Sequence, residues 1–525
     1  MADTKREIER KFEFTAADGE MRLPDLTEMA GVAAVIDQGV MELDATYYDT
    51  QDGRLAAHAI TLRRRNGGSD EGWHLKLPVA PDVRDEIHVP LTAGVEGGGV
   101  PHELRELVRS RVRDAELVPR VRLRTTRHVL HLEDGDGRLL AEVSTDQVRA
   151  ERLEPGGGTA EWTEIEVELA DGGDASFLDA VEKKLRKAGA RVSDSPSKLA
   201  RALAETEPAA ADRKAASAEP AGGAGKKTAG KDTAGSHVLA YLRAQVAAIV
   251  EYDPAVRRDL PDSVHQMRVA SRRMRSAFKT YRKVLDRTVT DPLGDELKWL
   301  GAELGVDRDL EVLTERLESR IAEVPETLRL GPVSSRVRIW SVSRRTGSRR
   351  RTLEVLDSKR YLALLDALDA LLAAPPLRPA ASRSPHKVLP KAVLKDYGRL
   401  AGRVEHALSL DPGQERDVAM HEARKAAKRA RYAAELAQPA LGKPAKRFVK
   451  RMKAVQTLLG DHQDSVVARE SLRTLAIQAH AAGESAFTWG LLYGHEEAQA
   501  VERERELPKV WAKASRPALR DGLTG

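Results

Sequence analysis

The sequence predicts an α+β chain of two unlike halves, an antiparallel β module followed by an all-α module. Three observations carry this. Apolar and charged residues alternate with period two up to about residue 204. Helical spacing dominates after about residue 235, where a helical unit also occurs twice. Between the two, residues 205–234 hold Ala, Gly, Lys, Pro and Glu with almost nothing to bury. Such a segment cannot offset its ordering entropy, which predicts a flexible linker. The resulting domains are 1–204 and 235–525.

In the first half the alternating runs are REIERKFEF, LDATYYDT, ITLRRR, GWHLKLP, RDEIHVP, LLAEVSTD and EWTEIEVEL, with helical spacing only in HELRELVRSRV and FLDAVEKKLRKAG. Strand parity puts Glu7, Glu9 and Lys11 on one face. It likewise groups Arg63 with Arg65, His74 with Lys76, Arg84 with Glu86, Glu142 with Asp146, and Glu164 with Glu166 and Glu168. One polar strand face ordinarily meets water. Charged rows of both signs on roughly six strands predict a different arrangement, a closed barrel with the charged rows turned inward. A tunnel with carboxylates on one wall and Arg and Lys on another suits a phosphate chain held with Mg²⁺ or Mn²⁺.

Glu7-Ile8-Glu9-Arg10-Lys11 resembles the ExExK signature of the CYTH family, the triphosphate tunnel metalloenzymes. LRRR at 62–65, HLKLP at 74–78, RDEI at 84–87, TTRHVL at 125–130, AEVSTD at 141–146, TEIEVEL at 163–169 and SPSKLARAL at 195–203 follow in that family's order, so the resemblance covers about residues 4–204. It implies an antiparallel eight-stranded β tunnel and metal-dependent attack of water on a triphosphate. It also implies that Glu7, Glu9, Glu164 and Glu166 bind metal, with Glu142 and Asp146 as further ligands. Lys11, Arg63, Arg65, Lys76, Arg84, Arg127 and Lys198 would hold phosphates, and Glu7, Glu9 and Lys11 would be the catalytic set. Many members place a base two positions before Arg127, where this chain has Thr125; Arg124 has the wrong parity to replace it.

GGAGKKTAGK in the linker imitates a phosphate-binding loop, but no Gly-Lys there is followed by Ser or Thr and no strand precedes it. The helical half is more informative. VHQMRVASRRMRSAF at 264–278 parallels MHEARKAAKRARYAA at 420–434 with an offset of 156 residues, and LGVDRD at 304–309 parallels LGDHQD at 459–464 with an offset of 155. Two copies of one unit predict a pair of pseudo-symmetric helical bundles. His265, Arg268, Arg272, Arg275, Lys279 and Arg282 fall in one narrow helical sector, and His421, Arg424, Lys428 and Arg431 repeat its start. From His265 to Lys283 there are seven basic residues and no acidic one. A lone basic run is usually a solvated face; two matching one-sided copies predict a face for a polyanion. His265 and His421 lack a second histidine at helical spacing and stand among cations, so they fit contact with phosphate better than a metal.

His265-Gln266-Met267-Arg268 and His421-Glu422-Ala423-Arg424, with the two LG segments, resemble the CHAD family of conserved-histidine α-helical domains over about 235–515. That resemblance implies binding of inorganic polyphosphate in a basic groove, and CHAD domains often share a chain with CYTH domains. The expected partners are therefore inorganic triphosphate and polyphosphate, the expected location cytoplasmic, in association with polyphosphate granules.

Composition narrows the rest. With no cysteine among 525 residues, disulfides and thiolate chemistry are excluded. No run of about 18 apolar residues predicts a membrane helix. The net charge of +5, from 86 basic and 81 acidic residues, decides little by itself. Aromatic residues at 4% leave few platforms for stacking bases, which disfavours nucleic acid as the polyanion. A non-catalytic polyphosphate-binding scaffold is the remaining alternative, and ATP cyclisation or thiamine triphosphate hydrolysis are alternative chemistries for the same tunnel.

Overall fold

The computed structural model describes residues 3–14, 23–91, 99–207 and 232–524, with 306–308 described in backbone only. Its contacts divide the chain into two compact units, Met1–Gly225 and Lys226–Gly525. Most of the expected linker, 208–231, lies outside the described residues.

The first unit is a closed antiparallel barrel. Strands β1 (Asp3–Phe14), β2 (Ala34–Asp49), β3 (Thr61–Asn66), β4 (Gly72–Ala80), β5 (Val83–Val89), β6 (Val118–Glu133), β7 (Leu139–Arg152) and β8 (Thr159–Leu169) pair in the order β5-β4-β3-β2-β6-β7-β8-β1, and β5 pairs again with β1 to close the ring. A short β9 (Ala190–Val192) pairs with the end of β1. Helices α1 (His102–Val112), α2 (Ser176–Lys187) and α3 (Lys198–Glu205) complete the unit.

Alternation places the cores. Outward Phe12, Val143, Ile165 and Val167 pack against Leu178, Val181 and Leu185 of α2, and outward Leu62, Trp73, Leu75 and Ile87 against Leu104, Leu107 and Val108 of α1. At one end of the barrel the inward row turns apolar. Ala45, Tyr47, Val121, Leu123, Val148 and Trp162 pack there against Leu199 and Ala202 of α3, so this helix plugs that end. Ser197 caps α3 by accepting from the Ala200 amide, which sets Lys198 at the helix start.

The second unit contains α4 (Ala234–Arg257), α5 (Ser263–Thr280), α6 (Arg287–Glu303), α7 (Gly305–Glu323), α8 (Val333–Leu356), α9 (Lys359–Ala373), α10 (Pro385–Ser409), α11 (Gln414–Ala481, interrupted at Gly442), α12 (Phe487–Ala514) and α13 (Pro517–Thr524). None is long and apolar enough to cross a membrane. A main core joins α4, α5 and α6 to α10 and α11; a smaller one joins α7 and α8 to the end of α11 and to α12. Both therefore draw helices from both copies of the repeat. The copies bury matching positions, Met267 with Ala423, Ala270 with Ala426, Met274 with Ala430 and Ala277 with Ala433. The small side chains let α5 and α11 pack closely, and the Tyr281 hydroxyl donates to the Ala433 carbonyl at 2.7 Å.

The β3–β4 turn depends on Gly67. Its φ is +83°, and a Cβ there would lie 2.3 Å from the Glu42 carbonyl oxygen. Gly67→Ala is expected to destabilise the barrel unit by about 1–3 kcal/mol. The measurement is the denaturant midpoint of that unit, with Gly137→Ala, which has φ +73° but open space around it, separating strain from the clash.

Candidate tunnel site and basic helical face

The inward rows of the barrel enclose a cavity of about 370 Å³. Glu7, Glu9, Lys11, Arg63, Arg65, Lys76, Arg84, Arg127, Glu142, Glu166 and Lys198 all line it. Asp146 and Glu164 are buried behind that lining. Every assigned tunnel residue thus lies in or behind one interior, both those grouped by strand parity and those, Arg127 and Lys198, that the family resemblance implied.

Within it the charges form three groups. Lys198 Nζ lies 2.9 Å from Asp146, 3.0 Å from Glu164 and 2.5 Å from Glu166. Arg127 adds a two-pronged bond to Asp146, at 2.8 and 2.6 Å, and another to Glu166 at 2.6 Å. On the opposite wall Lys76 pairs with Glu7 at 2.6 Å, while His74 Nδ1 meets Glu86 at 2.7 Å. Glu9 joins the groups, 2.8 Å from Arg84 and 3.3 Å from Lys11, which also pairs with Glu166. Glu142 stands apart, half-exposed beside His131 at 3.6 Å. Thr125 is buried on the inward face and offers only a hydroxyl, whereas Arg124 is exposed on the outer face and supplies no replacement cation.

Burial and its neighbours split the carboxyls. Burial, with a hydrogen bond to Glu86 and its charge, pushes Glu7 up to about 8 against the pull of Lys76. Glu86 is driven the other way: burial opposes its charge, but Lys76 and the His74 hydrogen bond outweigh that. Glu7 therefore holds the proton of this pair near pH 7. Burial also works against the Glu9 charge, yet Lys11 prevails and holds it at about 2. Burial presses His74 down to about 4, so its ring is neutral.

Asp146, Glu164 and Glu166 each present an oxygen, all within 4.8 Å of one another. Glu164 Oε1 is buried with no well-formed hydrogen bond, its contact to Lys198 being ionic only. Converging hard oxygen donors with an unsatisfied buried lone pair fit Mg²⁺ or Mn²⁺. In the helical unit a second group, Asp417, His462 and Glu504, meets the same distance criterion, but Arg469 and Arg416 already neutralise its two carboxylates.

Sequence reasoning missed four tunnel residues. Glu86 and Glu168 shared faces with assigned residues and needed only the same parity rule. The same rule reaches Lys5, two positions before Glu7 and paired with Glu168 at 2.6 Å, while Tyr47, whose hydroxyl accepts from Arg63 at 3.3 Å, carried no comparable signal.

In the helical unit the two basic stripes converge. Lys428 of the second copy lies among Arg424, Arg272 and Arg268; burial and their repulsion lower it to about 7. Arg268 pairs with Asp309 at 3.0 Å and Arg424 with Asp464 at 3.3 Å, the same contact in each copy. The glycines of the two LG segments make room: a Cβ at Gly305 would come within 3.0 Å of Arg268, and at Gly460 within 3.5 Å of Arg424. Arg272, Arg275, Arg424 and Arg431 each have a buried Nε without an acceptor. His265 and His421 lie half-buried at the start of each row, and burial, reinforced by Lys425, lowers His421. Arg275 and Lys279 turn into a cavity of about 360 Å³ with Arg282, Arg399 and Arg429. Arg431 does not continue the pattern; it pairs with Glu435 at 3.3 Å.

Comparison with known proteins supports both halves. The CYTH domain profile matches residues 5–203 and the CHAD domain profile residues 240–473. Two uncharacterized proteins of Mycobacterium tuberculosis, Rv2226 and MT2285, are each 38% identical over 516 residues, covering 95% of this chain and 94% of theirs. Among solved structures, PptA from Streptomyces chartreusis aligns with a TM-score of 0.45 at 20% identity, over 53% of this chain and 99% of its own. HpAC1 from Hippeastrum, described with a dominant triphosphatase activity, aligns at 0.23 and 14% identity over 38% of this chain and 96% of its own. The closed eight-stranded barrel, the duplicated helical unit and the two profiles in this order agree, and the chain belongs to the proteins that join a CYTH domain, a triphosphate-related tunnel, to a CHAD domain.

Proposed function

We propose that the tunnel hydrolyses the terminal anhydride of inorganic triphosphate or a related triphosphate with Mg²⁺ or Mn²⁺, and that the helical unit binds polyphosphate. The observation that carries this is the sorting of buried charge: three converging carboxylates on one wall and Lys11, Arg63, Arg65, Lys76, Arg84 and Arg127 around the same cavity.

Lys11, Arg63, Arg65, Lys76, Arg84 and Arg127 bind the phosphate oxygens and hold the chain in line for attack by water at the terminal phosphorus. Lys198, at the plugged end, carries a further charge beside Asp146, Glu164 and Glu166, the residues that hold the metal, with Glu9 nearest to them through Lys11. When bound, the metal supplies charge neutralisation for the anhydride oxygens. Glu7 enters protonated, so its carboxyl donates to a phosphate oxygen where an ionised carboxylate would repel it. The products are orthophosphate and the shortened chain. On the helical unit Arg268, Arg272, Arg275, Lys279, Arg424, Lys428 and Arg431 with His265 and His421 provide the polyphosphate face.

The test of the tunnel is phosphate release from inorganic triphosphate, ATP and long polyphosphate. Glu164→Gln and Glu166→Gln are each expected to lower kcat/KM by at least about 100-fold with the melting profile retained, and excess EDTA to abolish turnover. Full activity in either variant or in EDTA refutes the metal-dependent reading, whereas no phosphate release from any of the three substrates with Mg²⁺ or Mn²⁺ leaves the scaffold alternative. For the helical unit, polyphosphate is expected to bind without metal, and single-stranded nucleic acid at equal phosphate concentration to compete poorly. Equal competition favours nucleic acid instead.

Lys428 gives this binding a pH signature. In the free protein it sits at about 7 against an ordinary 10.5, so the unfolded chain binds more protons between those values. The free protein therefore gains stability as pH rises through that window. A bound polyanion restores the charge, so binding at pH 8 is expected to take up protons and to weaken as pH rises. Calorimetry in buffers of contrasting ionisation enthalpy measures the uptake, and Lys428→Gln is expected to remove most of it.

A further inference from the structure

The duplicated helix is not a faithful duplicate at its far end. With the offset of 156 residues, Arg272 corresponds to Lys428, Arg273 to Arg429 and Arg275 to Arg431, but Lys279 corresponds to Glu435. The structure gives this exchange opposite surroundings. In the second copy Glu435 lies 3.3 Å from Arg431 and 3.3 Å from Arg273, so one carboxylate forms ion pairs with two arginines. Both guanidiniums also lie over the Tyr432 ring, at 4.8 and 5.7 Å. That end of the stripe is closed by charge.

In the first copy the stripe stays open. Arg275, Lys279 and Arg282 line the 360 Å³ cavity between α5, α6, α10 and α11, and among the described residues no carboxylate lies within 4.0 Å of any of them. The other cations of the cavity are already engaged, Arg287 with Asp291 at 2.6 Å, Arg399 with Asp396 at 2.7 Å and Arg429 with Asp396 at 3.0 Å. Among the described lining residues, Asp295 is the acidic group that is not already paired and that faces these three. Burial lowers both Arg275 and Lys279, and for Lys279 repulsion from Arg275 and Arg429 adds to it. Arg275 Nε is buried without an acceptor. A half-enclosed cavity holding cations that repel one another needs an anion with several oxygens, not a single carboxylate.

We propose that the polyanion track of the helical unit is one-sided: phosphoryl groups of the bound chain continue past the convergence of the two stripes into the cavity of Arg275, Lys279 and Arg282, while Glu435 closes the equivalent path in the second copy. This rests on the reading of the helical unit as a polyphosphate binder. It adds a polarity that the repeat alone conceals, because a twofold face would admit the chain equally in either direction.

The experiment uses the full chain in EDTA, long-chain polyphosphate as the probe, and the slope of log affinity against log salt as the readout. Single-stranded polyanions lose about 0.7 in slope per phosphate contact. Arg275→Ala, Lys279→Ala and Arg282→Ala combined are expected to reduce the slope by about 2. Glu435→Lys, which restores the symmetric residue, is expected to steepen it by about 1, and Glu435→Gln by less. Orthophosphate at matched ionic strength distinguishes a polymer track from a site for free phosphate: displacement of polyphosphate from the wild type but not from the triple variant would show the latter and overturn the proposal. If the wild type does not bind polyphosphate, the function proposed for this unit falls as well. If it binds, and Arg424→Ala with Lys428→Ala weakens it while the triple variant and both Glu435 variants match the wild-type slope, the one-sided track alone is overturned. Should Glu435→Lys disturb the melting profile, Glu435→Gln carries the comparison.

Discussion

A charge taken out of water must find a partner or carry a cost of several kcal/mol, and the barrel is organised around that constraint. Its inward rows bury Glu7, Glu9, Asp146, Glu164 and Glu166 together with Arg65 and Lys198. Each is tolerable only because ring closure and the plug helix deliver the opposite sign, Lys76 to Glu7, Arg84 to Glu9, and Arg127 and Lys198 to Asp146 and Glu166. Register follows from this. A one-residue slip of β8 would turn Glu164 and Glu166 outward and push Ile165 and Val167 into the charged interior. The apolar cores beneath α1 and α2 and the ion pairs inside thus demand the same alignment from opposite faces. The plug helix extends the logic, since Leu199 and Ala202 seal the apolar end while Lys198, at the first position of the same helix, supplies the cation that three carboxylates need.

The helical unit treats charge differently. Its core requires small residues where α5 and α11 pack, and alanines at 423, 426, 427 and 430 meet that requirement. Close approach of the backbones brings Arg268, Arg272, Arg424 and Lys428 together. Among the described residues, two of these cations pair with a carboxylate, Arg268 with Asp309 and Arg424 with Asp464, and both carboxylates lie in or just after the two LG segments. Gly305 belongs to the same device, because a Cβ there would stand 3.0 Å from the Arg268 guanidinium and press on it, while at Gly460 a Cβ would only touch Arg424 at 3.5 Å. What remains is positive charge that is partly desolvated and only partly answered, a state that folding tolerates and that an anion relieves.

Much of this was legible in the sequence, for reasons that also mark where legibility ends. Strand parity is a local rule, so ExExK and the later rows placed their residues on the correct face without knowledge of the ring. Parity does not say which rows face one another. The gathering of Asp146, Glu164 and Glu166 around Lys198, and the opposite shifts of Glu7 and Glu86, depend on ring closure. The shift of Glu7 needs burial as well, which no motif encodes. Tyr47 was passed over because an aromatic residue in a strand reads as core. In the helices, the repeat revealed the stripe but also hid its asymmetry. Glu435 is one acid in a strongly basic helix, and its contacts with Arg431 and Arg273 show that it neutralises that end.

In the function proposed above the two units would hold phosphate by different physics, and the difference matches the two proposed roles. Inside the barrel nearly every cation already has a carboxylate, so a triphosphate arriving with a divalent ion exchanges partners instead of introducing unpaired charge. In the proposed reaction Lys11, Arg127 and Lys198 would bind the anion, and Asp146, Glu164 and Glu166 would hold the metal, which would supply charge neutralisation there. Desolvation has largely been borne during folding, which leaves a preorganised site in which charge developing on a leaving phosphate is met without reorganisation. A site that only binds has no such need. On the helical face there are few carboxylates to displace, the ligand's charge adds directly to an unmet excess, and affinity comes from released counterions and is lost in salt. Turnover demands that cation and carboxylate stand together at the reacting centre. Retention of a polymer demands only that positive charge outnumber negative along a path, which is why acid rows recur through the barrel strands and are nearly absent from the duplicated helix.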